Sequence, residues 1–354
     1  VKYQAKLRAG LKAGLAATLS VAAMSSASWA ATAPAPSYHV AATTKIGGEG
    51  GWDYLAYDTN THHLFVTRVG GVLVEDVAAQ KSAGTIPAIA GTRVHGIALA
   101  SDLGIGFTGD GKDNTSTVFS LKDLKVLRQI DLGHAPDAVI YDPHSKRGFA
   151  FAGDDNLAVA FDPHSGKRLG EVALDGSPEY AAADGAGNVY VNISDKQKIA
   201  RIDAQTLKVT SEWAIGGGCE DPTPLAIDTK HRHLYVGCRS GVLAVLSADD
   251  GSLLASLPIG KGTDAIVFDP SADLAFISCG DGTVSVVRQD AAGKFEIAQV
   301  IKTAPGARTL ALDPSTHRLY LPVSDQGPML PKTEELPSRP AIVPETFRLL
   351  TVDP

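Results

Sequence analysis

DYLAYD (53–58) followed by HLFVTR (63–68) is the stretch on which the fold turns, because the same pair returns six more times. It comes back as HGIALA (95–100) with IGFTG (105–109), DAVIYD (137–142) with GFAFAG (148–153), and EYAAAD (179–184) with NVYVNI (188–193). PLAID (224–228) with HLYVGC (233–238), DAIVFD (264–269) with LAFISC (274–279), and RTLALD (308–313) with RLYLPV (318–323) complete the series. Each copy is an apolar strand, ending in Asp in all but the second, then a polar turn and an aromatic or aliphatic strand. The last residue of the first strand falls at Asp58, Ala100, Asp142, Asp184, Asp228, Asp269 and Asp313, at spacings of 41 to 44 residues.

A period near 42 with short strands is the signature of propeller blades. Two further strands fit between anchors, as in NLAVAFD (156–162), the turn at 163–166 and RLGEVAL (168–174). GVLAVLS (241–247) and SLLASLPI (252–259) repeat the arrangement. Gly, Asp, Pro and Ser in the turns supply hairpin geometry. The first strand of each unit is nearly all apolar, as expected of strands buried on both faces between neighbouring blades. A β-sandwich would not hold one period through seven copies. The chain is therefore expected to be all-β, a single seven-bladed β-propeller over 31–354 with four antiparallel strands per blade.

The seventh unit is short of strands. After RLYLPV comes a segment, 324–344, with five prolines, and then FRLLTVD (347–353). Proline removes amide donors, so 324–344 is expected as an irregular insertion in blade 7 rather than a blade strand. The missing fourth strand is expected from the N-terminal YHVAATTKI (38–46), which would close the ring and remove both exposed sheet edges.

Residues 1–30 read as a secretory signal peptide: basic Lys2, Lys6, Arg8 and Lys12, an apolar run from 13 to 24, and small residues at 28 and 30. Cleavage is expected near Ala30, giving a periplasmic or secreted protein. The apolar run is shorter than the ~20 residues of a spanning helix, and no later stretch suggests a transmembrane segment. Without residues 1–30 the chain holds 28 Lys and Arg against 39 Asp and Glu, a formal charge of −11.

HLFVTR, HLYVGC and RLYLPV resemble the YVTN-type repeat, and the order of blades is similar to that of YncE-like exported bacterial proteins. The likeness spans the chain after residue 30. It implies the propeller fold and an exported location. A role in binding single-stranded DNA is proposed within that family. A net field of −11 repels nucleic acid, which is not expected as a partner here.

Three cysteines remain, Cys219, Cys238 and Cys279. Cys219 lies in the loop leading into the first strand of blade 5, and Cys238 ends the second strand of the same blade. Both belong to one face of one blade, whereas Cys238 and Cys279 occupy equivalent places a blade width apart. A disulfide is expected between Cys219 and Cys238.

Propellers bind ligands where the loops entering the inner strands converge. Counting five residues back from each anchor gives Asp53, His95, Asp137, Glu179, Thr223, Asp264 and Arg308. The pairs Asp264–Arg308–Asp53 and Asp53–His95–Asp137 are expected to hold this rim together. Asp137 and Glu179 have no cation between them. The expected ligand site is Trp52, Asp53, Arg68, His95, Asp137, Glu179, Asp264 and Arg308, with a cationic or amine-bearing ligand at the surplus charge. No cofactor is expected, although a divalent cation would suit the oxygen ligands. His231 and His233 could chelate a metal locally, but turn histidines are more often solvated.

These residues describe a monomeric binding or scaffold module for a small ligand or for a periplasmic or envelope protein. The alternative is a metal-assisted lactonase or lyase. Regucalcin-like lactonases use mouth carboxylates and an Asn, and no Asn occupies the ring positions. No nucleophile–base pair is evident, so an enzyme is not the expected reading. Quinoprotein-like dehydrogenases carry repeated tryptophan motifs, and only Trp52 and Trp213 follow residue 30.

Overall fold

Seven four-stranded antiparallel sheets follow one another along the chain in the computed structural model, which describes residues 37–88, 93–332 and 338–354. Blade 1 shows the plan: Trp52–Asp58, His63–Arg68, Gly71–Asp76 and Lys81–Pro87, paired in chain order from the axis outward. The architecture is the expected seven-bladed propeller. No helix among the described residues is long and apolar enough to cross a membrane. The expected signal peptide lies outside the described residues.

The recurring aspartate has a local physical cause. Register places Asp58 opposite His63, Asp142 opposite Arg147, Asp228 opposite His233 and Asp269 opposite Leu274, so these inner hairpins each turn over four residues. The buried carboxylate satisfies that turn by accepting amide hydrogen bonds two and three residues on. Asp228 takes Lys230 N and His231 N at 3.0 and 3.1 Å, and Asp269 takes Ser271 N and Ala272 N at 3.0 and 3.2 Å. The next blade then reaches back. Ser101 donates to Asp58 at 2.9 Å, and His317 Nδ1 lies 2.6 Å from Asp269. Blade 2, whose anchor is Ala100, uses its serine for this clasp.

The core lies between blades. One buried cluster joins Phe149, Phe151 and Val172 of blade 3 to Val189, Val191 and Ile202 of blade 4. In blades 2 and 3 a glycine makes room for an aromatic ring across the ladder. Gly106 pairs with Phe119 and Gly148 with Phe161, and a Cβ there would sit 2.3 and 2.4 Å from the ring.

Ring closure follows the expected route. His39–Lys45 pairs with Arg348–Asp353, which pairs with Arg318–Val323 and through it with Ala311–Asp313. Tyr38 anchors the joint. Its ring packs edge-on against Phe276 of blade 6 at 4.8 Å, and the Gln299 side chain bonds both its amide and its carbonyl, at 3.0 and 2.7 Å.

The insertion differs from expectation. It is not a blade strand, but neither is it irregular. Gln326–Leu330 pairs with Arg339–Ile342 as a separate two-stranded ribbon. Each strand of a ribbon has one unpaired edge, so a proline such as Pro340 loses no ladder bond when its nitrogen faces outward.

Candidate binding site at the channel mouth

The inner strands begin at the mouth, and several entrances are clamped by the blade before them. Thr67 Oγ1 donates to the carbonyl of His95 at 2.9 Å, Asn192 Nδ2 to that of Thr223 at 3.0 Å, and Thr309 Oγ1 to that of Asp53 at 2.9 Å. Thr67 and Asn192 in second strands, and Thr309 beside Arg308, therefore fix the backbone of these ring residues.

On this frame the side chains form a chain of alternating charge. Arg308 Nε donates to Asp264 Oδ2 at 2.6 Å, and its Nη2 lies 3.8 Å from Asp53. His95 Nδ1 lies 3.0 Å from Asp53 and 3.3 Å from Asp137. The structure thus brings together both expected triplets. It adds two arginines that sequence reasoning missed. Arg93 stands 3.7 Å from Asp53, and Arg239 stands 3.7 Å from Asp264 and 3.9 Å from Asp221. Arg239 follows Cys238 in the loop between second and third strands, the kind of loop that made Arg68 a candidate. Arg93 lies two residues before a ring position, outside the counting frame.

The alternation breaks once. Asp137 of blade 3 and Glu179 of blade 4 are neighbours in the ring, and Glu179 makes no ion pair among the described residues. Burial, then the charge of Asp137, pushes the Glu179 carboxyl up to about 7, with Arg239 pulling it partly back. Burial and the Asp53 charge push Asp137 up to about 6 against His95. The Asp137 carboxylate sits among the mouth's charged groups, yet its side chain stays 52 % exposed. Burial also raises Asp264 despite Arg308. Burial works to lower the His95 imidazole, but the Asp53 hydrogen bond and the Asp137 charge outweigh it and raise its pKa.

Of the two remaining expected members, Trp52 borders the mouth cavity beneath the Arg308 guanidinium, and Arg68 lies apart. Arg68 does not join the ring. Its guanidinium lies 3.9 Å above the Phe347 ring and donates to the carbonyl of Glu49 at 2.6 Å. Trp52 is buried against Phe347, and its carbonyl, not its indole, accepts from Arg308 Nη2 at 3.1 Å. Its indole N–H has no acceptor among the described residues. The expected disulfide is present between Cys219 and Cys238, with Cα atoms 5.3 Å apart, and Cys279 is buried and free. The crosslink flanks Asp221 and Arg239 and ties both to the mouth.

Above the ring lies a cavity of about 690 Å³, bounded on one side by the insertion ribbon through Leu330, Arg339 and Ile342. Below it Tyr54 and Tyr180, from blades 1 and 4, stack across the axis at 4.8 Å. This pair separates the mouth from an apolar cavity of about 460 Å³ among the inner strands, lined by Leu55, Ile266, Phe268 and Leu312.

Asp53, His95 and Asp137 are the one metal-competent cluster among the described residues, with candidate donor atoms within 4.8 Å of one another. Arg93 and Arg308 beside Asp53 oppose a second positive charge there. On the other face, His231 Nδ1 lies 2.6 Å from Asp228 and His317 serves Asp269 in the same way, so these imidazoles belong to the turn clasps.

No protein-family model matches the chain. No curated protein matches it in sequence. Among solved structures it is similar to a chain of Kuenenia stuttgartiensis hydrazine synthase, with a TM-score of 0.67 and 12% identity over 78% of this chain and 94% of that one. At that identity the likeness concerns the fold.

Proposed function

We propose that this propeller is an exported, YncE-like binding module that takes a small ligand at its channel mouth, with a cationic group of the ligand against Asp137 and Glu179. The observation that carries this reading is the single break in the alternating charges. Asp53 and Asp264 are neutralised by Arg93, His95, Arg239 and Arg308, whereas Asp137 has only the shared His95 and Glu179 has no ion-pair partner among the described residues. A buried charge without a partner is costly, and a ligand cation would relieve that cost. Export is supported by the disulfide, which suits an oxidising compartment, and by the character of residues 1–30. A divalent cation would use Asp53, His95 and Asp137, but the flanking guanidiniums favour an organic cation.

The test is calorimetry with alkylamines and divalent metals on wild type and on Asp137→Asn/Glu179→Gln. Amine binding lost in the double variant supports the site. Binding that survives both substitutions places it elsewhere.

A further inference from the structure

We infer that the ligand is bipolar: Arg93 and Arg239 hold an anionic group, carboxylate or phosphate, in the cavity beneath the ribbon, while its cation meets the acids. This deepens the reading of the mouth as a ligand site and rests on it.

Three arginines of the ring face this cavity, but they are not equivalent. Arg308 is committed, with Nε on Asp264 and Nη2 on the Trp52 carbonyl. Arg93 and Arg239 approach their nearest acids only at 3.7 to 3.9 Å, and neither guanidinium donates a hydrogen bond among the described residues. A guanidinium carries five N–H donors in a planar fork matched to two-oxygen anions. The two side chains keep 34 % and 49 % of their surface exposed. They come from blades 2 and 5, distant in sequence, yet border one cavity.

The walls suit a short chain with charged ends. Gly262, Gly280 and Gly306 leave room for a ligand, and Val69, Leu330 and Ile342 offer apolar contact for methylenes. The disulfide at Cys238 holds the backbone beside Arg239, so the fork is positioned in advance. With a carboxylate as its anionic group, such a ligand would also be neutral overall. It would meet the acids and the arginines without adding net charge to a partly desolvated mouth.

The experiment is calorimetry with ω-amino acids of increasing length. Each is compared with the alkylamine and the fatty acid of the same chain, with the aminoalkyl phosphate, and with inorganic phosphate. At the best length the amino acid or aminoalkyl phosphate should bind at least tenfold more tightly than the amine or the acid alone. Which of the two wins tells carboxylate from phosphate. Arg93→Gln/Arg239→Gln should erase this advantage and leave amine affinity. Arg239→Lys should restore part of it, and Ile342→Trp, which fills the cavity from the ribbon without altering a charge, should abolish it. Melting curves establish that each variant folds. An amino acid that binds no better than its amine overturns the anionic arm and leaves the mouth reading standing. An advantage that survives Arg93→Gln/Arg239→Gln overturns it too. If no probe binds wild type, both readings fall.

Discussion

The inner strands of blades 1, 3, 4 and 6 carry carboxylates at both ends, and across the ring the two ends treat their acids oppositely. At the turns away from the mouth, burial pushes Asp184, Asp269 and Asp313 up, but hydrogen bonds from their own turns and neighbours outweigh it and hold them below the usual range. At the mouth, burial wins, and Asp137, Glu179 and Asp264 are raised. Desolvation acts at both ends, so the difference lies in the supply of donors. Asp269 receives two amides, a hydroxyl and an imidazole within 3.2 Å. Glu179 receives none among the described residues. Folding uses its donors where they close turns and leaves the mouth short of them. That shortage is what the proposed site rests on.

The sharpest way to break the comparison is to remove one well-served acid. Asp269→Ala strands two part-buried amides and His317, and should lower stability by on the order of 3 kcal/mol in urea denaturation. A loss below about 1 kcal/mol would mean that the turn closes without its carboxylate. Because Asp269 is depressed in the fold, its contribution is present above the ordinary 3.8 and lost as pH falls through the lower folded value. The gap between wild type and variant should therefore close in strong acid.

At the mouth the disulfide does what turns do at the other end. Cys219→Ser/Cys238→Ser releases a crosslink between residues 19 apart, worth about 3 kcal/mol of loop entropy. It should also weaken any Arg239-dependent binding. Unchanged stability would show that blade 5 is held by packing alone.

Glu179→Gln should have the opposite sign. The folded carboxyl is raised from 4.5 to about 7, so folding binds a proton across that window and stability from this group falls as pH rises through it. At pH 8 the variant should be more stable than wild type, by on the order of 1 kcal/mol once solvent screening is allowed for. At pH 4 the two should melt together. A variant less stable at pH 8 would reveal a partner for Glu179.

The smallest effect belongs to the ribbon. Replacing 326–342 by a short Gly/Ser link, with Arg348–Asp353 kept in place, should change stability by less than about 0.5 kcal/mol, since the ribbon pairs with no blade. Ligand affinity should fall with the loss of Leu330 and Ile342. A cooperative loss of structure would make the ribbon part of the fold.

Much of the fold was legible because a propeller repeats, and each copy corrects the reading of the others. The Asp-ended strand marks the turn, and counting back from it finds the ring. The two triplets around Arg308 and His95 followed from blade order. Arg68 was misplaced because its partner Phe347 comes from the third strand of blade 7, almost three hundred residues away. Tyr54 and Tyr180 read as strand residues, and only the geometry of the ring makes them face one another. The ribbon was misread because five prolines argue against a sheet but not against two edges.

The sequence alone determined the number of blades, the closure by 38–46 and the cysteine pair, since these depend on period and chain order, which are properties of one dimension. Which charges meet across the mouth was decided only in three dimensions. Arg308 finds the Trp52 carbonyl 256 residues away, and Arg93 and Arg239 share one cavity from blades 2 and 5. The angle between blades and the direction of each side chain set those meetings. They come from the packing of whole sheets against each other, which no local pattern of residues records.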